Sequence, residues 1–343
     1  MSEYLAKMKK QGFEELVMIQ DANVGLKAVI AIHNTGRGPA LGGTRMWTYP
    51  SEDAAVDDVM HLARCMSYKS AAAELPLGGG KGVIIGDPHT DKSKALFHAY
   101  ARHLKRMGGR FITAADMGIH EGDLDCMREA CDHILGGSVI GSPSPFTAFG
   151  VWQGIKACAK EVYGSEKLAG KTVAVQGVGS VGEALCRHLH EDGARLIVTD
   201  IDQEPLEMAK KEFQAEVVDP DDIYGQDCDI FAPCGTGGVV NQDTIDQFKC
   251  KIIAGGANNV VKEKQYEHEL KKRGILLAPD YIINAGGIIF VEMKRQGISD
   301  HEQIKKVVAR IKNRLEEVLH RAREQDLLPR EMADIFAEER LQK

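Results

Sequence analysis

The chain has 343 residues, 43% hydrophobic and 27% charged, with a formal net charge of −7. That length and mixture predict two folded domains and exclude a disordered chain, and the lack of a long basic run excludes a general nucleic-acid binder. Glycine is in excess at 36 residues. The 11 prolines and the absence of a Gly-X-Y period assign that excess to turns and to backbone that closes on a ligand.

The N-terminus, Met-Ser-Glu-Tyr-Leu-Ala-Lys-Met-Lys-Lys, has no apolar signal core, and no apolar run reaches the roughly 18 residues a membrane span needs. A cytoplasmic protein with no membrane partner is expected. Eight cysteines lie at 65, 126, 131, 158, 186, 228, 234 and 250. None forms Cys-x-x-Cys or stands beside a His pair at zinc spacing, so neither a metal nor a disulfide is expected.

In chain order, residues 25–33 read as a strand. Residues 51–73 read as a helix, with Ala55, Val56, Val59, Met60, Ala63 and Met66 at helical spacing, Ser51 as N-cap, and Glu52 and Asp53 at its positive start. Residues 81–86 and 110–114 are short apolar runs of buried-strand type. A boundary is expected near residues 145–150, with Ser142-Pro-Ser-Pro145 as hinge. Beyond it the pattern alternates: strand 172–176, helix 182–191, strand 195–200, helix 205–214, short strand 216–218, then strands 228–232, 251–254 and 275–278. Such alternation indicates a parallel sheet covered by helices. A last helix is expected over 301–325, with Ile304, Val307, Val308, Ile311, Leu315, Val318 and Leu319 on one face.

Gly177-Val178-Gly179-Ser180-Val181-Gly182 follows one expected strand and opens a helix. Gly177 permits the tight turn, Gly179 lets backbone approach a pyrophosphate, and Gly182 lets helix pack on strand. Asp200 ends the next strand, 18 residues after Gly182. A carboxylate there accepts from ribose hydroxyls and repels a 2′-phosphate, and Ile201-Asp202-Gln203 offers no arginine, so NAD is the expected cofactor.

A second cluster lies in the N-terminal half. Lys69 and Lys81 sit among Ala, Gly, Met and Leu, poor company for surface lysines, and Asp116 ends the run Phe111-Ile-Thr-Ala-Ala. Two cations in a partly dry pocket depress each other's pKa, so one becomes a base near neutral or mildly alkaline pH, with Asp116 as proton relay. A phosphate-binding Walker loop fails on inspection, since position 75 is Leu and position 82 is Gly.

Together these segments resemble the amino-acid dehydrogenase superfamily of glutamate, leucine, phenylalanine and valine dehydrogenases, most closely its leucine branch. The resemblance covers almost the whole chain and is carried by residues 38–46, Tyr68-Lys69, residues 78–87, 232–238, 254–259 and 278–287. It implies an α/β fold of two domains: a substrate and oligomerisation domain over 1–147, rejoined by a tail from about 327 to 343, and a Rossmann NAD-binding domain over 148–326. It implies reversible oxidative deamination of an L-amino acid to a 2-oxo acid and ammonia by a homo-oligomer, dimer to octamer. Lys69 matches the lysine that binds the substrate carboxylate, Lys81 the catalytic lysine, and Asp116 the aspartate that assists proton transfer. Asn258 matches the asparagine at the substrate and nicotinamide end. Cys234, Gly235 and Asn284 fall in matching motifs and join the cofactor set. Leu41, Gly42, Gly43, Met66, Ala114, Ile288 and Val291 form the implied side-chain pocket. It is apolar and offers no charge for a glutamate side chain, so leucine, valine or isoleucine is expected.

Two departures keep an aromatic substrate open. Ala115 stands where leucine dehydrogenases usually carry Glu, and Ile119 where they carry Thr. The run 132–141 is also shorter, and Ala257-Asn-Asn259 leans towards the phenylalanine and valine relatives. A non-catalytic NAD(H) sensor on the same fold is the alternative of another class; a degenerate copy would be expected to have lost a lysine or Asp116.

Overall fold

The computed structural model describes residues 3–137 and 140–341. The chain divides into two compact units, Met1–Gly141 with Ala337–Lys343, and Ser142–Phe336. The expected cut at 147/148 lies inside a helix, Ser144–Tyr163, and the expected return at 327 lies ten residues before Ala337.

The first unit runs α1 (Glu3–Gln11), β1 (Glu15–Asp21), β2 (Leu26–Asn34), β3 (Ala40–Trp47), α2 (Glu52–Ala72), β4 (Gly78–Ile85), α3 (Lys94–Arg106), β5 (Phe111–Ala115) and α4 (Glu121–Arg128). Its sheet has the order β1-β2-β4-β3-β5. β2 pairs antiparallel with β1 and β4, while β3 pairs parallel with β4 and β5. Strand side chains alternate between faces. Val83 of β4 packs with Val29, Ala31 and the α2 residues Ala55, Val56, Val59 and Met60. Its neighbour Ile84 packs the other way, with Ile30, Met46, Phe111 and the α3 residues Leu96, Phe97 and Tyr100. α2 starts as expected: the Ser51 hydroxyl accepts from the Ala54 N–H at 3.1 Å, ahead of Glu52 and Asp53.

β4 begins at Gly78 rather than at Lys81, because the glycine run is itself strand. A Cβ at Gly79 would stand 2.0 Å from the Ser67 nitrogen of α2, and one at Gly42 would stand 1.8 Å from the Gly80 oxygen. Close backbone approach, not strand propensity, decides these positions. β3, through Gly42 and Gly43, is strand for the same reason.

The second unit runs α5 (Ser144–Tyr163), β6 (Thr172–Gln176), α6 (Ser180–Glu191), β7 (Arg195–Thr199), α7 (Gln203–Phe213), β8 (Glu216–Val217), β9 (Ile230–Pro233), β10 (Ile252–Ile253), α8 (Gln265–Lys272), β11 (Leu276–Leu277), α9 (Asp280–Ile283), α10 (Gly286–Arg295), α11 (His301–Val308) and α12 (Arg310–Glu324). α13 (Pro329–Leu341) begins here and ends in the first unit. All six strands are parallel, in the order β11-β10-β9-β6-β7-β8. Strand order therefore reverses between β6 and β9, the position at which such sheets open a ligand crevice.

Three expectations change. Ser144 and Pro145 of the expected hinge open α5, since proline suits a first helical turn. The helix after the glycine turn starts at Ser180, two residues early. The expected helix over 301–325 is two, α11 and α12, meeting at Ala309, though Ile304, Val308, Ile311, Leu315, Val318 and Leu319 stay buried across the junction. Among the described residues, no helix is long and apolar enough to cross a membrane.

Candidate active site

In the first unit the glycines set the geometry. The close approach of α2 to β4 at Ser67 and Gly79 is locked by the Ser70 hydroxyl, which donates to the Gly78 carbonyl at 3.1 Å. Two residues beyond this contact stand Lys69, half-buried in the last turn of α2, and Lys81 on β4. Gly43 fits because a Cβ there would meet the Ala115 oxygen at 2.5 Å and the Asp116 Cβ at 2.8 Å. A Cβ at Gly42 would also approach Met66 Cγ at 3.3 Å. Leu41, Gly42, Gly43, Met66, Lys81 and Asp116 are thus gathered where β3, β4 and β5 meet α2, and Ala114 lies on β5.

Lys81 is only 6% exposed. Its Nζ lies 2.9 Å from Asp116 Oδ2. Burial pulls the Lys81 amine below its ordinary pKa, Asp116 pulls it back, and Arg45 pushes it further down. Burial alone would raise the Asp116 carboxyl, but Lys81 and Arg45 hold it below the usual range, so it stays ionised. Arg45 is therefore a cation acting on Lys81 beside burial that the sequence reading had not included.

Arg45 was missed. Its Nε donates to the same Asp116 Oδ2 at 2.9 Å, and its Nη1 donates to Asp58 Oδ2 at 2.9 Å. Tyr49 donates to Asp58 Oδ2 at 2.5 Å. The one local signal was an arginine inside Gly42-Gly-Thr-Arg45, a strand otherwise built of small and apolar residues; its partners on α2 and after β5 lie beyond local spacing. An ionised carboxylate and a buried amine depressed in pKa, in hydrogen-bond contact, make a proton-transfer pair.

In the second unit the expected cofactor residues converge at the reversal of the sheet. Gly177, at φ +90°, carries an N–H that donates to the Thr199 carbonyl at 2.8 Å. A Cβ on it would meet the Gly235 nitrogen at 2.7 Å, and one on Gly182 would meet the Gly177 oxygen at 1.9 Å. Gly256 brings Val181 and Cys234 beside the turn. The space a Cβ would take at Gly179 is open, at the N-terminal end of α6 where Ser180 begins the helix. A pyrophosphate fits this cradle, on free N–H groups and the positive helix end. Asp200 Oδ2 accepts from the Val178 N–H at 2.6 Å and Oδ1 from the Asp202 N–H at 3.1 Å. A carboxylate has about four acceptor positions, so room for ribose hydroxyls remains. Asn284, 4% exposed, donates through Nδ2 to Asn258 Oδ1 at 2.7 Å and to the Gly256 carbonyl at 3.2 Å. Asp280, held by Arg330 at 2.9 Å, accepts the Asn259 N–H at 2.6 Å and so fixes the loop that carries Asn258. Ile288 and Val291 stand one turn apart on α10, the first buried and the second half-buried.

The two departures differ in kind. Ala115 is exposed at the end of β5, beside the cluster, whereas Ile119 is 3% exposed and packs in the core with α3 and α4. Of the run 132–141, residues 138–139 lie outside the described residues; Ile134 joins the core and Leu135 donates to the Thr113 carbonyl. None of the eight cysteines is in a disulfide, and among the described residues no acidic, Cys or His group could hold a metal.

A parallel sheet that reverses at a glycine turn, with an acid ending the next strand, defines a protein with a Rossmann-type dinucleotide site. The lysine–aspartate pair adds proton-transfer chemistry. The chain belongs to the Glu/Leu/Phe/Val dehydrogenase family: residues 14–133 match its dimerisation domain, and residues 136–205 and 196–343 match the Glutamate/Leucine/Phenylalanine/Valine dehydrogenase domain. It is 50% identical over 340 residues to a leucine dehydrogenase of Bacillus subtilis, covering 98% of this chain and 93% of the relative. A phenylalanine dehydrogenase of Thermoactinomyces intermedius is 41% identical, over 100% of this chain and 95% of its own. The crystal structure of L-tryptophan dehydrogenase from Nostoc punctiforme superposes with a TM-score of 0.90 at 40% identity, covering 99% of this chain and 98% of that one. The chain is an amino-acid dehydrogenase.

Proposed function

We propose that the chain catalyses the reversible, NAD-dependent oxidative deamination of a branched-chain aliphatic L-amino acid. Amino acid, NAD⁺ and water give the 2-oxo acid, ammonium, NADH and a proton. The observation that carries this reading is the buried Lys81 amine in contact with the ionised Asp116. Lys69 binds the substrate carboxylate. The bound dinucleotide supplies the hydride acceptor. Lys81 takes a proton from the water that adds to the substrate's imino carbon, and Asp116 relays protons to and from that amine. Asn258, oriented by Asn284, holds the substrate amino group and the nicotinamide end. The glycine turn 177–182, with Cys234 and Gly235, cradles the pyrophosphate. Asp200 selects NAD over NADP by accepting from both ribose hydroxyls.

The choice of leucine, valine or isoleucine is supported by the apolar Leu41, Met66, Ile288 and Val291, and by 50% identity to a leucine dehydrogenase against 41% to a phenylalanine dehydrogenase. The exposed Ala115 beside Asp116 favours an aromatic substrate as second reading, because it leaves space where relatives carry a longer side chain. A homo-oligomer in the cytoplasm completes the proposal; the matched dimerisation domain and the eight cysteines outside any disulfide support it. The test is NADH formation at alkaline pH with leucine, valine, isoleucine, phenylalanine, tryptophan and glutamate, repeated with NADP⁺. Leucine-class turnover that disappears in Lys81→Ala, with NADH binding kept, is expected. Turnover of none of the six favours an NAD(H) sensor, and retained turnover in Lys81→Ala removes the mechanism.

A further inference from the structure

We infer that Arg45 and Asp58 are positioning residues for the Lys81–Asp116 pair: Arg45 grips Asp116 through the oxygen that Lys81 uses, and Asp58 fixes Arg45 in turn. The inference rests on Lys81 as the proton-transferring group proposed above.

The geometry is specific to arginine. One guanidinium spans two carboxylates, Nε to Asp116 and Nη1 to Asp58, each at 2.9 Å. A lysine ammonium has no second arm with which to hold both. Lys81 Nζ and Arg45 Nε each lie 2.9 Å from Asp116 Oδ2, so they are at most twice that distance apart. At such range, in a partly buried setting, each cation disfavours the other. Arg45 remains charged, so Lys81 is the one that yields its proton. Asp58 works in the opposite sense, since its negative charge favours a protonated Lys81. Tyr49 keeps Asp58 in place; burial and Asp58 itself hold the phenol above its ordinary pKa, so it remains a donor.

The other titratable groups on the elements around β4 do not replace this pair. His33, on β2, is tied to the Ser67 hydroxyl at 2.8 Å, and burial lowers its pKa, so it is neutral above pH 7. Lys69, on α2, is common to every variant below. Tyr100 of α3 bonds Thr44 on the opposite face of the sheet, and burial pushes its phenol up.

The two charges therefore act on Lys81 with opposite sign, which a merely structural role does not do. Deamination requires neutral Lys81, so kcat/KM rises with pH through its pKa. Arg45→Gln keeps a donor for Asp116 and removes the positive charge. Its rising limb is expected at higher pH, by at least about half a unit. Asp58→Asn keeps an acceptor for Arg45 and removes the negative charge; its limb is expected at lower pH by a similar amount. Asp58→Glu, which keeps the charge, returns the limb to within about 0.3 units of the parent. Steady-state kcat/KM for NADH formation from leucine between pH 7 and 11 reads all three. Shifts in the same direction, or no shift with only a lower plateau, overturn the inference. If Arg45→Gln does not fold, the Asp58→Asn and Asp58→Glu pair decides by itself. Failure of the functional reading is distinct: the parent then makes no NADH from any of the amino acids, or Lys81→Ala retains turnover, and both claims fall.

Discussion

A lysine that is 6% exposed is a cost to the fold as well as a tool. Burial holds the folded Lys81 amine below its ordinary pKa, whereas the unfolded chain keeps it protonated to about 10.4. Between those two values the unfolded state binds more protons, so stability rises with pH there; below the folded pKa the whole penalty is present. Asp116 keeps Arg45 as partner when Lys81 is removed, so no carboxylate is orphaned. Lys81→Met is therefore expected to be at least as stable as the parent at pH 7.5 in urea unfolding, with the gain shrinking towards pH 10. A loss above about 1 kcal/mol at pH 7.5 would instead make the ammonium a net anchor. Lys81 and Asp116 were legible in sequence because a lysine and an aspartate stood among small and apolar residues. Arg45 and Asp58 were not, because their meaning lies in a contact between β3 and α2 that no local spacing encodes.

At the scale of elements, the same glycines that marked the motifs fix how closely elements dock. Gly79 lies against the Ser67 backbone, and neither β4 nor α2 has a flexible side chain there to move aside. Gly79→Ala should cost more than about 3 kcal/mol or prevent folding, as overpacking against backbone does. Gly122, in the exposed first turn of α4, meets nothing within 4 Å, so Gly122→Ala should gain about 0.5 kcal/mol from reduced chain entropy. Thermal or urea unfolding of the two variants checks the contrast; equal effects would mean that glycine content, not close approach, matters. The central strands of the second unit, β6, β7, β9 and β10, were legible because parallel strands buried on both faces read as apolar runs. α5 was not: Phe146, Ala148, Val151, Ile155, Ala157 and Cys158 are buried, and a helix apolar on most sides loses the periodicity that would announce it. Glycine strands fail in the reverse way, since propensity argues against them and only the neighbouring backbone explains them.

On the scale of the whole molecule, the lysine cluster belongs to one compact unit and the dinucleotide turn to the other, each with its own core. Perturbations in the two should therefore separate. Asp200→Ser replaces the carboxylate that accepts the Val178 N–H, and that is proposed to accept from the ribose, by an uncharged, shorter hydroxyl, and NADH affinity should fall about tenfold, roughly 1.4 kcal/mol. Discrimination against NADP⁺ should weaken in the same variant, because the charge that repels a 2′-phosphate is gone. The pH limb set by Lys81 should not move. Arg45→Gln should move the limb and leave NADH affinity within about twofold, since it touches only the first unit. The double variant should show both effects, additive within about 0.5 kcal/mol, as independent sites do. Fluorescence titration of NADH and kcat/KM against pH on the four proteins completes the cycle. A coupling above about 1 kcal/mol would show that the charge state of the Lys81 cluster and the grip on the dinucleotide are set together.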